Sequence, residues 1–214
     1  MGLLSHHDSA VTVLISHHYP VLMGRWQPGA RERLVVAAVD LFSEQGYDET
    51  TVAQISERAG VTRSTFFRHF SDKRELLVAG QATLSHLLAE GITSAPPGSS
   101  PLESVALGLA RASEQMGPVN HALGPRLTAV VASSKELQER SLLKSVGLAG
   151  AMTDALIGRG IPDSTARLAA EMGLLAFSRG FAQWSTSDED SGDALAHRTL
   201  VALDELRAAA AALG

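Results

Sequence analysis

The sequence contains no cysteine. Disulfide bonds and thiolate chemistry are thereby excluded, which suits a reducing compartment, and a cytoplasmic location is the expectation. The chain also lacks an excess of positive charge, with 18 Lys and Arg against 23 Asp and Glu and a net charge of −5. A uniformly basic coat for nucleic acid is ruled out, so any contact with phosphates has to be local. Catalytic signatures are missing too: there is no Gly-x-Ser-x-Gly elbow, no glycine-rich phosphate loop and no His-Glu-x-x-His helix. Ser64, Arg68 and His69 are close in sequence, but on a helix Ser64 and Arg68 share a face from which His69 is rotated away, so they build no triad. His121 has no carboxylate at ligand spacing, and His197 has a single one, Asp193. No enzyme activity, catalytic residue, cofactor or metal site is therefore expected. A secretory signal would need a basic start and a longer apolar stretch than Ala10 to Ile15, and no membrane association is expected. Strand-like alternation and internal repeats are absent as well.

What is present is helical. The chain has 214 residues, 45% of them hydrophobic, enough for one large or two small domains with a core. Its organising stretch runs from Thr50 to Leu77. Thr51 followed by Gln54 is a capping-box spacing, in which hydroxyl and amide satisfy the free N–H groups at a helix start. Val52, Ile55 and Ala59 make one apolar face, and Gly60 stands where a left-handed residue ends a helix. After the turn Ala59-Gly60-Val61, Thr62 caps a second helix of about two turns. Phe66 and Phe70, four apart, face inward; Arg63, Ser64, Phe67 and Arg68 are left outside, where the second helix of a helix-turn-helix presents side chains to the major groove. Ser71-Asp72-Lys73 then caps a further helix.

Arg58, Arg63, Arg68, Lys73 and Arg74 stand here against one acid, Asp72, a local charge of +4. Cations in a helix's first turn oppose its dipole, and a phosphate beside Lys73 and Arg74 would relieve that conflict. The bland alternative is a solvated helical face.

Residues 31–77 resemble the N-terminal domain of the TetR (tetracycline-repressor) family of bacterial transcription regulators. The matching residues are Ala38, Leu41, Phe42 and Gly46-Tyr47, then Thr50-Thr51-Val52, Ile55 and Ala59-Gly60-Val61. After them come Thr65-Phe66-Phe67-Arg68-His69-Phe70, Asp72-Lys73 and Leu76-Leu77. The resemblance implies that Thr62, Arg63, Ser64, Phe67, Arg68, His69 and Lys73 contact DNA. Arg31, in a basic arm with Arg25 and Arg33, and Thr51 complete the candidate set. Phe67 departs from the tyrosine frequent in the family, which leaves apolar contact, for instance with a thymine methyl.

The implied architecture is all-α. A flexible tail at 1–28 carries His6, His7, His17 and His18, which are read as solvated in preference to metal-binding. A three-helix DNA-binding domain follows at 29–75, its first helix from Ala30 to Gln45, and a helical effector-binding and dimerisation domain at 76–214. A fourth helix from Asp72 to Glu90 would run roughly 28 Å from DNA to body, followed by a linker from Gly91 to Pro101. Helices are expected over 102–115, 120–133, 135–159, 164–185 and 193–213. Leu168, Leu175, Phe181 and Trp184, with Leu195, Leu203 and Leu206, are the candidate two-fold interface of the last two helices, a monomer core being the alternative. By the resemblance the body encloses a small-molecule effector, for which Met116, His121, Arg126, Met152, Met172 and Phe177 are candidate lining residues. The expected whole is a homodimeric repressor on a palindromic double-stranded DNA operator, released by its effector; the alternatives are a helical effector-binding or adaptor protein without sequence-specific DNA binding, and an all-α enzyme.

Overall fold

A computed structural model describes residues 29–213. The expectations for residues 1–28, including the two His-His pairs and Arg25, lie outside the described residues. Helix α1 (Ala30–Gln45) presents Leu34, Ala38, Leu41 and Phe42 to one side. Helix α2 (Val52–Arg58) begins with the expected capping box: Gln54 N donates to Thr51 Oγ1 at 3.3 Å, and Thr51 N donates to Gln54 Oε1 at 2.8 Å. Gly60 turns the chain at φ +65°, and α3 (Arg63–His69) starts where Thr65 N donates to Thr62 Oγ1 at 3.1 Å. Leu34, Ala38, Phe42, Tyr47, Ile55, Phe66 and Phe70 close one core beneath these helices.

The fourth helix differs from expectation. Asp72 accepts from Arg74 N at 2.8 Å and starts only a 3-10 turn, Lys73–Leu76; after it the chain passes through Gly80 at φ +81° before α4 (Gln81–Thr93) begins. A residue in the left-handed region cannot continue a right-handed helix. The rod expected between DNA domain and body is therefore broken at Gly80. At its other end α4 runs on through Gly91, which the sequence reading placed in the linker. There α4 crosses α5 (Pro101–Ser113): a Cβ on Gly91 would lie 2.6 Å from the Gly108 Cα, so the two backbones touch where only hydrogen fits.

The body continues with α6 (Pro118–Ser133), α7 (Lys135–Gly158), α8 (Asp163–Trp184) and α9 (Gly192–Ala211), each within about two residues of its expected bounds, and no strand occurs among the described residues. Leu84, Leu88, Ile92, Val105, Leu109, Leu148, Met152, Leu156, Ala170 and Leu203 form its core. Two residues of the body belong elsewhere. Val130 of α6 and Leu137 of α7 are buried in the DNA-domain core beside Leu76 and Leu77. The α6–α7 corner is thus seated in the helix-turn-helix domain.

The expected dimer surface is corrected in the same way. Trp184 and Leu195 are 0% exposed and Leu203 is buried, so they are core within one chain and cannot meet a second copy. The cause is α9, which packs along α8 so closely that Gly180 abuts Thr199, while α5 covers the pair from beneath. Phe181 and Leu206 are half-buried; Leu168 at 63% and Leu175 at 44% stay exposed on α8.

Candidate nucleic-acid interface

Seven-residue α3 divides sharply. Phe66 is 0% exposed and Phe70 is buried, while Thr62, Arg63, Ser64, Phe67, Arg68 and His69 are all exposed. Phe67, 58% exposed, stands edge-on to Phe66 at 5.3 Å between ring centroids. That support fixes an apolar ring on an otherwise polar face. Arg68 Nη2 donates to Thr65 Oγ1 at 3.1 Å, which lays the guanidinium back along the helix, and His69 sits beside the Phe70 ring. Arg63 has no hydrogen bond or ion pair among the described residues and is open to solvent. Arg31 lies over the Phe70 ring, its guanidinium carbon 5.1 Å from the centroid, and so joins the edge of the same face. Thr51 is exposed, but its hydroxyl is committed to the α2 cap, donating to Gln54 Oε1 at 2.9 Å.

The basic patch is smaller than its sequence suggests. Arg58 forks onto Glu44 at 2.9 and 2.8 Å, and Arg74 is held by Asp72 and, at 3.4 Å, by Glu136 of α7. The Arg74 guanidinium holds the Asp72 carboxyl below the usual carboxylate range, with the backbone N–H groups of Arg74 and Glu75 acting the same way. Lys73 Nζ donates to the carbonyls of Tyr47 at 2.7 Å, Asp48 at 3.3 Å and Thr50 at 3.0 Å, and lies 4.1 Å from the Tyr47 ring centroid. This lysine ties the 3-10 turn to the α1–α2 loop, and a phosphate would have to compete with those three carbonyls. Tyr47 is itself buried, which together with the Glu136 carboxylate raises its phenol above the ordinary range. Of the five cations counted in the sequence, Arg63 and Arg68 have no carboxylate or carbonyl partner among the described residues.

The candidate effector residues do not converge. Met152 is buried in the body core, and Met116, Met172 and Phe177 pack partly buried against that core. His121 Nε2 lies 2.9 Å from the Ser187 carbonyl and edge-on to Trp184. Arg126 pairs with Asp40 of α1 at 2.6 Å. The hollow between α7 and α8, about 420 Å³, is lined by Ser145, Glu171, Met172, Leu174, Leu175 and Ser178, so Met172 alone of the six borders it. Sequence reasoning missed Lys144, which lies on the inward stripe of α7 with Leu137, Leu148 and Met152. A lysine at helical spacing among core residues was the available signal. Among the described residues no group of His, Asp and Glu converges as a metal site, and no helix is long and apolar enough to cross a membrane.

Residues 34–79 match a family model described as bacterial regulatory proteins, tetR family. The chain is 30% identical over 146 residues to the transcriptional regulator TcmR of Streptomyces glaucescens, covering 65% of this chain and 64% of that protein. With the transcriptional repressor KstR of Rhodococcus jostii it shares 29% identity over 139 residues, 64% of this chain and 62% of the relative. The matches thus span less than two thirds of those relatives' own lengths. A solved complex of SmeT with triclosan superposes at a TM-score of 0.51, covering 85% of this chain and 91% of that one; at 21% identity this is a likeness of fold.

Proposed function

The chain belongs to the TetR family of bacterial transcription regulators, and on that premise we propose that it is a cytoplasmic repressor, binding a palindromic operator as a homodimer and released by a small-molecule effector. The observation that carries the reading is the face of α3, where Thr62, Arg63, Ser64, Phe67, Arg68 and His69 are exposed together over a buried Phe66. A helix so divided offers donors to base edges and an apolar ring to a thymine methyl. Arg31 extends the face toward the flanking backbone. Repression is supported by the name of KstR, and a small-molecule effector by the triclosan held in the SmeT complex.

Two copies would meet through the exposed side of α8, at Leu168 and Leu175, with Val201 of α9 a further exposed apolar residue. Pairing places two recognition helices for two half-sites, which multiplies the affinity of a small domain. Release needs only differential affinity between two conformations; a coupling of roughly 1–3 kcal/mol changes DNA affinity about 5- to 150-fold. With the fourth helix broken at Gly80, the α6–α7 corner is the better transmitter. It is joined to the DNA domain by Arg126–Asp40 at 2.6 Å, Arg140–Glu75 at 3.5 Å and Glu136–Arg74 at 3.4 Å, around buried Val130 and Leu137.

The test begins with selection of a binding site from random duplexes at fixed salt. On the recovered palindrome, Arg63→Ala is expected to lose roughly 1–3 kcal/mol and to relax preference at one position. Equal losses on every sequence would reduce Arg63 to a phosphate contact, and recovery of no palindrome would overturn the reading. Lys73→Ala separates two roles. A flatter dependence of affinity on salt marks a phosphate contact, whereas an unchanged slope with a lower melting temperature assigns Lys73 to the carbonyls of the α1–α2 loop.

A further inference from the structure

Lys144 is a cation placed where the fold supplies nothing to balance it. On α7 it stands four residues after Arg140 and three before Gly147, so the three share one side of the helix. Arg140 pairs with Glu75 at 3.5 Å, and Gly147 abuts the side-chain amide of Gln81. The side of α7 that carries Lys144 therefore faces the segment from Glu75 to Gln81, which contains the Gly80 turn. Arg140 has an acid there, but Lys144 has no hydrogen-bond or ion-pair partner among the described residues. Its other neighbours along this side of the helix are the small hydroxyl residue Ser141 and the apolar Leu137 and Leu148, a turn or two away, with Met152 beyond. Burial alone pushes its ammonium below the ordinary lysine range.

Lys144 is half-buried; a charge drawn partly out of water without a partner is costly, and proteins ordinarily retain one where something else completes it. The facing segment is suited to give way, since turn hydrogen bonds hold it in place of a helical ladder: Leu77 N to Arg74 O at 3.2 Å, Ala79 N to Leu76 O at 3.3 Å and Gln81 N to Val78 O at 3.0 Å. One ammonium among apolar side chains matches one negative charge on an apolar body and leaves a dianion half neutralised.

We propose that Lys144 anchors the anionic group of the effector, an apolar molecule carrying a carboxylate, where α7 faces the Glu75–Gln81 segment. The proposal rests on the effector reading above and names the ligand's class. Binding there acts directly on the Gly80 turn between DNA domain and body.

The experiment uses the full chain and three probes with one apolar body: decanoate, 1-decanol and decylamine, measured by calorimetry below their aggregation limits. Decanoate is expected to bind at least roughly tenfold more tightly than 1-decanol, the usual worth of a charge-assisted hydrogen bond, and decylamine least. Lys144→Met keeps the volume and removes the charge; it should fold, melt at or above the parent temperature, and lose the preference for decanoate. Lys144→Arg should retain it. Failure of decanoate to bind, equal affinity for the alcohol, or undiminished preference in the Met variant would each overturn the proposal. Operator binding is read separately in the same preparations. A palindrome bound without any carboxylate preference sinks this inference and leaves the repressor reading standing, and the opposite pair of results does the reverse.

Discussion

Replacing Phe66 by alanine is expected to destabilise the DNA-binding domain by about 3–5 kcal/mol, the usual cost of removing a buried aromatic ring and leaving a cavity. The side chain is 0% exposed and holds three contacts of the domain together, packing with Phe70 at 5.8 Å, supporting Phe67 at 5.3 Å and sharing a core with Leu34 and Ile55. A three-helix domain has little core to spare, so the loss should unfold α2 and α3 well before the body. The control is one residue away. Phe67→Ala removes a ring of the same size from a site that is 58% exposed, and surface truncations of this kind change stability by about 0.5 kcal/mol or less. Denaturant melts of the two variants should differ accordingly, while DNA binding is weakened in both. Equal destabilisation would mean that Phe67 is a core residue and that the α3 face is misassigned.

The second large effect is expected far from α3 in sequence. Leu137→Ala, on the first turn of α7, should cost about 2–5 kcal/mol, because its side chain is fully buried in the core of the DNA domain with Val130, Leu76 and Leu77. The consequence to measure is where protection is lost. Hydrogen exchange should accelerate in α1 to α3, although the substitution lies in the body, since those helices lose part of their own core. Acceleration confined to α6 and α7 would show that the corner rests on the domain without stabilising it, and the proposed route of transmission would fail. Leu143→Ala, six residues on and 60% exposed, is the control and should leave both regions unchanged.

Much of this fold was legible in the residues. The capping box at Thr51, the turn at Gly60, the cap at Thr62 and the inward pair Phe66 and Phe70 all depend on neighbours within a few positions, and each is present. The body helices also fall at their expected bounds, set by Pro and Gly breaks. The fourth helix misled because a glycine inside an apolar pattern reads as tolerated, whereas its positive φ lets α4 start only after it, behind a 3-10 turn. Gly91 misled in the opposite direction. Read as part of a linker, it is the small residue that lets α4 and α5 touch.

The sequence by itself determined the all-α class, the helix-turn-helix and the divided exposed face of α3, because hydrogen bonds at helix ends and side-chain spacing along a helix act over one or two turns. Only the tertiary structure decided which apolar faces remain available and which charges remain free. Trp184, Leu195 and Leu203 looked like surface waiting for a second copy until α5, α8 and α9 closed over them. Lys73, read from the sequence as a phosphate contact, also meets the carbonyls of Tyr47, Asp48 and Thr50, and Arg126, read as an effector contact, meets Asp40. A helix that is apolar on several sides, or a cation on an amphipathic one, has its role set by whichever distant segment packs against it, and that choice belongs to the whole chain.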